Sequence, residues 1–134
     1  MNLPEGYSYR YYADEDESDY IDLLGRAGFE GWNHERVAAT AEKALPEGFF
    51  LVIHERSGKP VATAVAQDRP RERHPHGAEL GWVATHPEHR RKGLGRTVCA
   101  LATTRMIRAG YRDIYLLTDD WSGPAIMTYL KLGY

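Results

Sequence analysis

The spacing of hydrophobic and polar positions changes repeatedly along the chain, and each change predicts an element. Residues 7–12 are aromatic-rich and read as a first strand. Asp14, Glu15, Asp16 and Glu17 then supply acids for a solvated helix start. Tyr20, Ile21, Leu23 and Leu24 follow at helical spacing as far as Gly25 or Gly28. Asn33 can cap a second helix carrying Val37, Ala38, Ala41 and Leu45, expected to end near Pro46, Glu47 and Gly48. Residues 49–54 form a continuous apolar run rich in aromatic and branched side chains, the pattern of a buried strand. The turn Ser57-Gly58-Lys59-Pro60 returns the chain as an antiparallel strand over 61–67. A polar loop over 68–77 precedes a central strand over 79–85. Leu94, Val98, Leu101, Ala102 and Met106 recur at helical spacing until Gly110. A further strand over 112–118 and a last helix over 124–132 complete the pattern.

The resulting order, β-α-α-β-β-β-α-β-α, predicts a mixed α/β sheet with helices on its faces. With 134 residues the chain is expected to form one domain, spanning 1–134. Seventeen Lys and Arg against nineteen Asp and Glu give a net charge of −2, which argues against a nucleic-acid partner. Cys99 is the single cysteine, so no intrachain disulfide can form, and its place in a helix suggests a small buried residue. The first residues lack a signal peptide's basic region and apolar run. No stretch approaches the ~20 apolar residues of a membrane span. These features lead us to expect a cytoplasmic protein without membrane partners.

One run carries most of the chemistry. The strand ending at Val83, Ala84 and Thr85 leads through His86 and Pro87 to a basic turn: Arg90, Arg91, Lys92, Gly93, Leu94, Gly95, Arg96. Two glycines let backbone amides approach a ligand, and a helix that starts there adds unpaired N–H groups and partial positive charge. In a chain of slightly negative net charge, this local basic cluster suits one small anion, and a diphosphate fits. A dinucleotide fingerprint would need glycine or alanine at Val98, and a Walker loop would need Lys-Ser/Thr after Gly95, where Arg96-Thr97 stands.

The pattern Arg90-x-x-Gly93-x-Gly95 resembles the pyrophosphate-binding signature of the GCN5-related N-acetyltransferase (GNAT) superfamily. The strand 79–85 with its His86-Pro87 exit is similar to that family's central strand. The run Pro124-Ala125-Ile126-Met127-Thr128-Tyr129-Leu130-Lys131-Leu132-Gly133-Tyr134 resembles its closing helix. The resemblance is strong from Glu79 onward and weak before it. It implies a mostly antiparallel central sheet flanked by helices, acetyl-CoA as acyl donor, and transfer to a primary amine of a small molecule or peptide. It also implies that the strands ending at Thr85 and near Thr118 splay apart. The pantetheine arm would then pair with the backbone of Val83, Ala84 and Thr85, while Ser122, where relatives carry asparagine, would touch the same arm.

By the same resemblance Tyr129 occupies the general-acid position, although Tyr12 or another hydroxyl could serve. Glu79 stands eleven positions before Arg90, the separation of the catalytic glutamate in the histone-acetylating branch; water is the alternative base. Leu117 stands where the ribosomal-protein branch has its base, a departure that weakens the case for a protein N-terminus as acceptor. Asp119 and Asp120 could draw a cationic amine or act as helix caps. His74, His76, His86 and His89 show no recognised zinc spacing, so no metal is expected. A non-catalytic acyl-CoA sensor is the alternative function. Relatives add a strand after the position of Tyr134, so either the chain is cut short of its natural end or the edge of strand 112–118 would stay open, where a homodimer could cover it.

Overall fold

A computed structural model of the chain describes residues 3–68 and 78–111 and the backbone of 114–116. Five strands pair in the order β1 (Tyr7–Tyr11), β2 (Ala44–His54), β3 (Lys59–Asp68), β4 (Ala78–Thr85) and β5 (Ile114–Leu116). The first three pairings are antiparallel, and β4 pairs with β5 in parallel. Helices α1 (Glu17–Arg26) and α2 (His34–Lys43) fill the β1–β2 crossover, and α3 (Leu94–Arg108) connects β4 to β5. The expected mixed, mostly antiparallel α/β sheet is therefore present. The last expected helix, over 124–132, lies outside the described residues.

Alternation along the strands divides the core between the two faces of the sheet. Val52, Ala62, Ala64, Ala66 and Leu80 meet Leu94, Val98, Cys99, Ala102 and Met106 of α3. On the other face Phe49, Leu51, Ile53 and Val65 pack with Tyr20 and Leu24 of α1, Val37 of α2, and Trp32. The inward stripes on the helices are what their periodicity demands. Gly110 ends α3's last turn at φ +92°, a conformation that costs glycine little.

Three local expectations are corrected. The second helix stops at Lys43, not near Gly48, because Pro46 lacks an N–H and disfavours helical backbone at Leu45. Ala44 instead pairs with Gln67, and the strand then bulges before regaining register at Phe49 opposite Val65. Second, Val37 and Thr40 face inward from α2, whereas Ala38 and Ala41 are exposed. Third, Asp16 is not solvated. It is buried and takes both Arg10 guanidinium nitrogens at 2.5 and 2.6 Å, and it also accepts from the Ala13 N–H. Asn33 does cap α2, its Oδ1 accepting from the Arg36 N–H at 2.9 Å.

Candidate active site

The site takes shape where β4 departs from regular pairing. Ala84 stands opposite Thr63 and Gly81 opposite Val65, so Trp82 and Val83 together face the single residue Ala64. This is a β-bulge, and Trp82 adopts φ +50° to make it. The extra residue breaks the side-chain alternation. Leu80 and Val83 face α3, while Trp82 and Ala84 face the α1–α2 layer.

Beyond the bulge, one side of the β4 backbone has no strand partner among the described residues. The His86 N–H donates to the Val61 carbonyl at 2.7 Å, which fixes the alternation of that stretch. Ala84 then directs its N–H and C=O toward β3, while Val83 and Thr85 direct theirs away. Described pairing with β5 ends at Leu80, so on that side Val83 and Thr85 have no strand partner among the described residues.

The basic turn begins where β4 stops. His86 Nδ1 accepts from the Glu88 N–H at 3.1 Å and caps a single 3-10 turn, Pro87–His89. Arg91 (φ +67°) and Gly93 (φ +76°) then reverse the chain into α3. Gly93 is the N-cap without a side-chain hydrogen bond, and no acid stands in the first helical turn. The N–H groups of Leu94, Gly95 and Arg96 precede the first intrahelical bond, from the Thr97 N–H to the Gly93 carbonyl at 3.0 Å. A Cβ placed on Gly93 would meet nothing within 4 Å, so the turn is open beside that glycine. Unpaired N–H groups at such a helix start suit an anion.

Strand end and helix start approach closely at Thr85 and Gly95, where a Cβ on Gly95 would come within 3.1 Å of Thr85 Oγ1. Arg90, Arg91, Lys92 and Arg96 are exposed around the turn, whereas Leu94 is buried and offers a ligand only its backbone. Lys92 is engaged: its Nζ donates to Tyr7 Oη at 3.1 Å, above the same ring. The Tyr7 oxygen thereby accepts, leaving its proton for His89 Nδ1 at 2.7 Å. Burial first, then His54, His86 and Lys92, hold the His89 pKa below its ordinary value, against the pull of Glu88. Its imidazole is therefore a good acceptor. The rings of His54 and His86 lie 4.8 and 5.4 Å from that of His89, yet among the described residues no group has the geometry to hold a metal.

On the opposite face of the sheet, Glu79 is buried across from Gln67, about 10 Å along the strand from Trp82 at ~3.3 Å per residue. Trp82 meets Trp32 edge-on at 4.8 Å, and the Arg36 guanidinium lies 4.5 Å from the Trp32 ring and 5.4 Å from the Trp82 ring. Tyr12 stacks on Phe49, and burial, reinforced by Glu17, Asp14 and Asp16, pushes its phenol up to about 12. It stays protonated at neutral pH.

The structure thus brings Val83, Ala84 and Thr85 together with the turn from Arg90 to Arg96, and it places Glu79 deeper in the sheet. Tyr129, Ser122, Leu117, Asp119, Asp120, His74 and His76 lie outside the described residues. Sequence reading missed the Tyr7 anchor, the bulge, the Trp32–Arg36–Trp82 corner and buried Gln67. Only the bulge had a signal, a glycine (Gly81) inside a strand pattern.

A mixed sheet with a bulged central strand, feeding a helix through a basic glycine turn, defines an α/β protein with a basic helix start beside its central strand. A profile of the acetyltransferase (GNAT) family matches residues 11–134, and the chain belongs to that family of acyltransferases. It is 23% identical to the mycothiol acetyltransferase of Actinosynnema mirum over 98% of its own length. It spans less than half, 46%, of that curated relative. Among solved structures, the ribosomal-protein-S18-alanine N-acetyltransferase of Escherichia coli superposes with a TM-score of 0.72 at 22% identity, over 95% of this chain and 76% of that one. The NatC complex bound to Gag peptide and CoA gives a TM-score of 0.82 at 18% identity, over 95% of this chain and 83% of that one. Likeness at these identities speaks to fold. No helix among the described residues is long and apolar enough to cross a membrane.

Proposed function

We propose that this chain is an acetyl-CoA-dependent N-acetyltransferase that moves an acetyl group directly to a primary amine of a small molecule or peptide. The observation that carries the reading is the meeting at one corner of two backbone surfaces without partners among the described residues, the β4 edge at Val83 and Thr85 and the start of α3, whose N-cap makes no side-chain hydrogen bond. The first suits an extended amide arm and the second a pyrophosphate, the two parts of coenzyme A.

In this reading the amides from Arg91 to Arg96 hold the pyrophosphate, with Arg90, Arg91, Lys92 and Arg96 supplying counter-charge. The amine nitrogen attacks the thioester carbonyl, the carbon–sulfur bond breaks as the amide bond forms, and the thiolate takes a proton. Tyr129 is our candidate donor of that proton, and Glu79 or water the acceptor of the amine's. Ser122 is our candidate contact to the cofactor arm. Buried Cys99 suits the reducing cytoplasm, where we place the reaction. A homodimer is part of the same proposal.

Calorimetry with acetyl-CoA tests the site. Gly93→Asp puts a side chain and a like charge into the open space, and binding is expected to fall sharply. Unchanged affinity in a folded Gly93→Asp protein overturns the assignment. Thiol release across a panel of amines separates enzyme from acyl-CoA sensor, since turnover with any acceptor removes the sensor. Tyr129→Phe is expected to lower kcat by about 10²-fold with cofactor affinity nearly kept. Glu79→Gln should slow the reaction most at low pH, where free amine is scarce, and a parental pH profile would exclude it as base.

A further inference from the structure

A corner of aromatic rings lies on the α1–α2 side of the sheet. Trp32 and Trp82 meet at 86° with ring centroids 4.8 Å apart, forming two walls. The Arg36 guanidinium sits against both, at 4.5 and 5.4 Å from the ring centroids. Tertiary structure makes this corner, because the bulge in β4 turns Trp82 toward α2.

A guanidinium set against aromatic rings spends no conventional hydrogen bond on them and keeps its N–H donors for another partner. Arg36 has no ion-pair partner among the described residues. Asp16 is taken by Arg10, Asp22 by Arg26, and Glu17 by His34. Arg36 is nonetheless exposed, so a ligand can reach its donor edge. Two indoles orient a charge that no described carboxylate neutralises, which leaves its donors available to an anionic ligand. Planar, forked donors match a carboxylate or a phosphate.

We infer that Arg36 is an acceptor-binding residue, and that the preferred acceptor is an amine that also carries a carboxylate or phosphate. The inference rests on the acetyltransferase reading above and narrows its substrate class. The anionic group engages Arg36 at the Trp32–Trp82 corner, while the amine lies toward the bulged edge of β4.

Matched amines test it: ethanolamine against phosphoethanolamine, and alaninamide against alanine, in the parent, Arg36→Gln and Arg36→Lys. Thiol release from acetyl-CoA gives kcat and KM. Tryptophan emission of the CoA-saturated protein, titrated with the same amines, gives binding without turnover. The parent should favour the charged member of at least one pair by about 10- to 100-fold in kcat/KM, the usual worth of a charge-assisted hydrogen bond. That ratio should collapse in Arg36→Gln through KM, and recover only in part in Arg36→Lys, which lacks the fork. Which pair discriminates tells phosphate from carboxylate. Equal use of charged and neutral members by the parent overturns the inference, as does a preference that survives in Arg36→Gln. If no amine releases thiol but emission still separates the pairs in the parent alone, the transferase reading fails and the Arg36 assignment stands.

Discussion

Gln67 Oε1 lies 2.6 Å from where a Cβ on Gly81 would stand. Gln67 is almost fully buried on β3, and its Oε1 has no hydrogen-bond partner among the described residues. The missing side chain at 81 is therefore filled by the amide of its neighbour, one residue before the bulge.

Gly81→Ala is expected to destabilise the fold by about 1–3 kcal/mol, the range of overpacking in a close-packed interior. Adding Gln67→Ala should recover part of that loss, giving a coupling that denaturant unfolding of the four proteins measures. Additive losses would show that the two side chains do not compete for the same space.

The Lys92–Tyr7–His89 chain ties the basic turn to β1. Tyr7→Phe removes the shared oxygen and frees Lys92. The expected result is a rise of about 3- to 10-fold in KM for acetyl-CoA, the worth of one net hydrogen bond, with kcat affected less. An unchanged KM would mean that the turn holds its shape without the anchor.

Because folding lowers the His89 pKa below its ordinary 6.5, the fold favours the neutral imidazole. The stability this contributes is full above that value and is lost as pH falls through the lower folded pKa. Unfolding midpoints taken from pH 7.5 down to 5 should decline more steeply in the parent than in His89→Gln. Burial is the largest cause, His54, His86 and Lys92 add to it, and Glu88 opposes them.

Asp16 works in the acid range. Its bond to Arg10 holds its carboxyl below the usual value, so its contribution is full above about pH 4 and disappears as pH falls through the folded pKa. Arg10 is 43% exposed, so solvent screens the pair, and Asp16→Asn should cost only about 1 kcal/mol at neutral pH. Thermal unfolding at pH 7 and pH 3 checks both parts, since the difference between parent and variant should shrink at the lower pH.

Cys99 is wholly buried against the sheet, and burial pushes its thiol up to about 12. A colorimetric thiol reagent at pH 8 should leave the native protein unlabelled and titrate one thiol after denaturation. Rapid labelling of the native state would show that α3 opens away from the sheet.

Periodicity made much of the fold legible. The runs at Leu94, Val98 and Met106, and at Tyr20, Leu23 and Leu24, could bury their apolar sides only as helices against a sheet. The basic glycine turn was legible for the same reason, because glycine spacing and charge are local properties. The misplaced end of α2 came from reading Leu45 as a helix-face residue when Pro46 had already ended the helix. Asp16 was misread because its partner, Arg10, belongs to the preceding strand, and an acidic run looks solvated until the fold closes on it.

Sequence by itself thus determined the order of the described elements, the location of the basic turn, and the family whose signature that turn carries. Each depends on neighbours within a few residues along the chain. Only tertiary structure decided that Tyr7 would hold Lys92, that Gln67 would occupy the space above Gly81, and that Arg36 would lie across Trp32 and Trp82. Those contacts join residues up to 85 positions apart. Such pairings exist only once strand register and the bulge in β4 have been set by packing on both faces of the sheet.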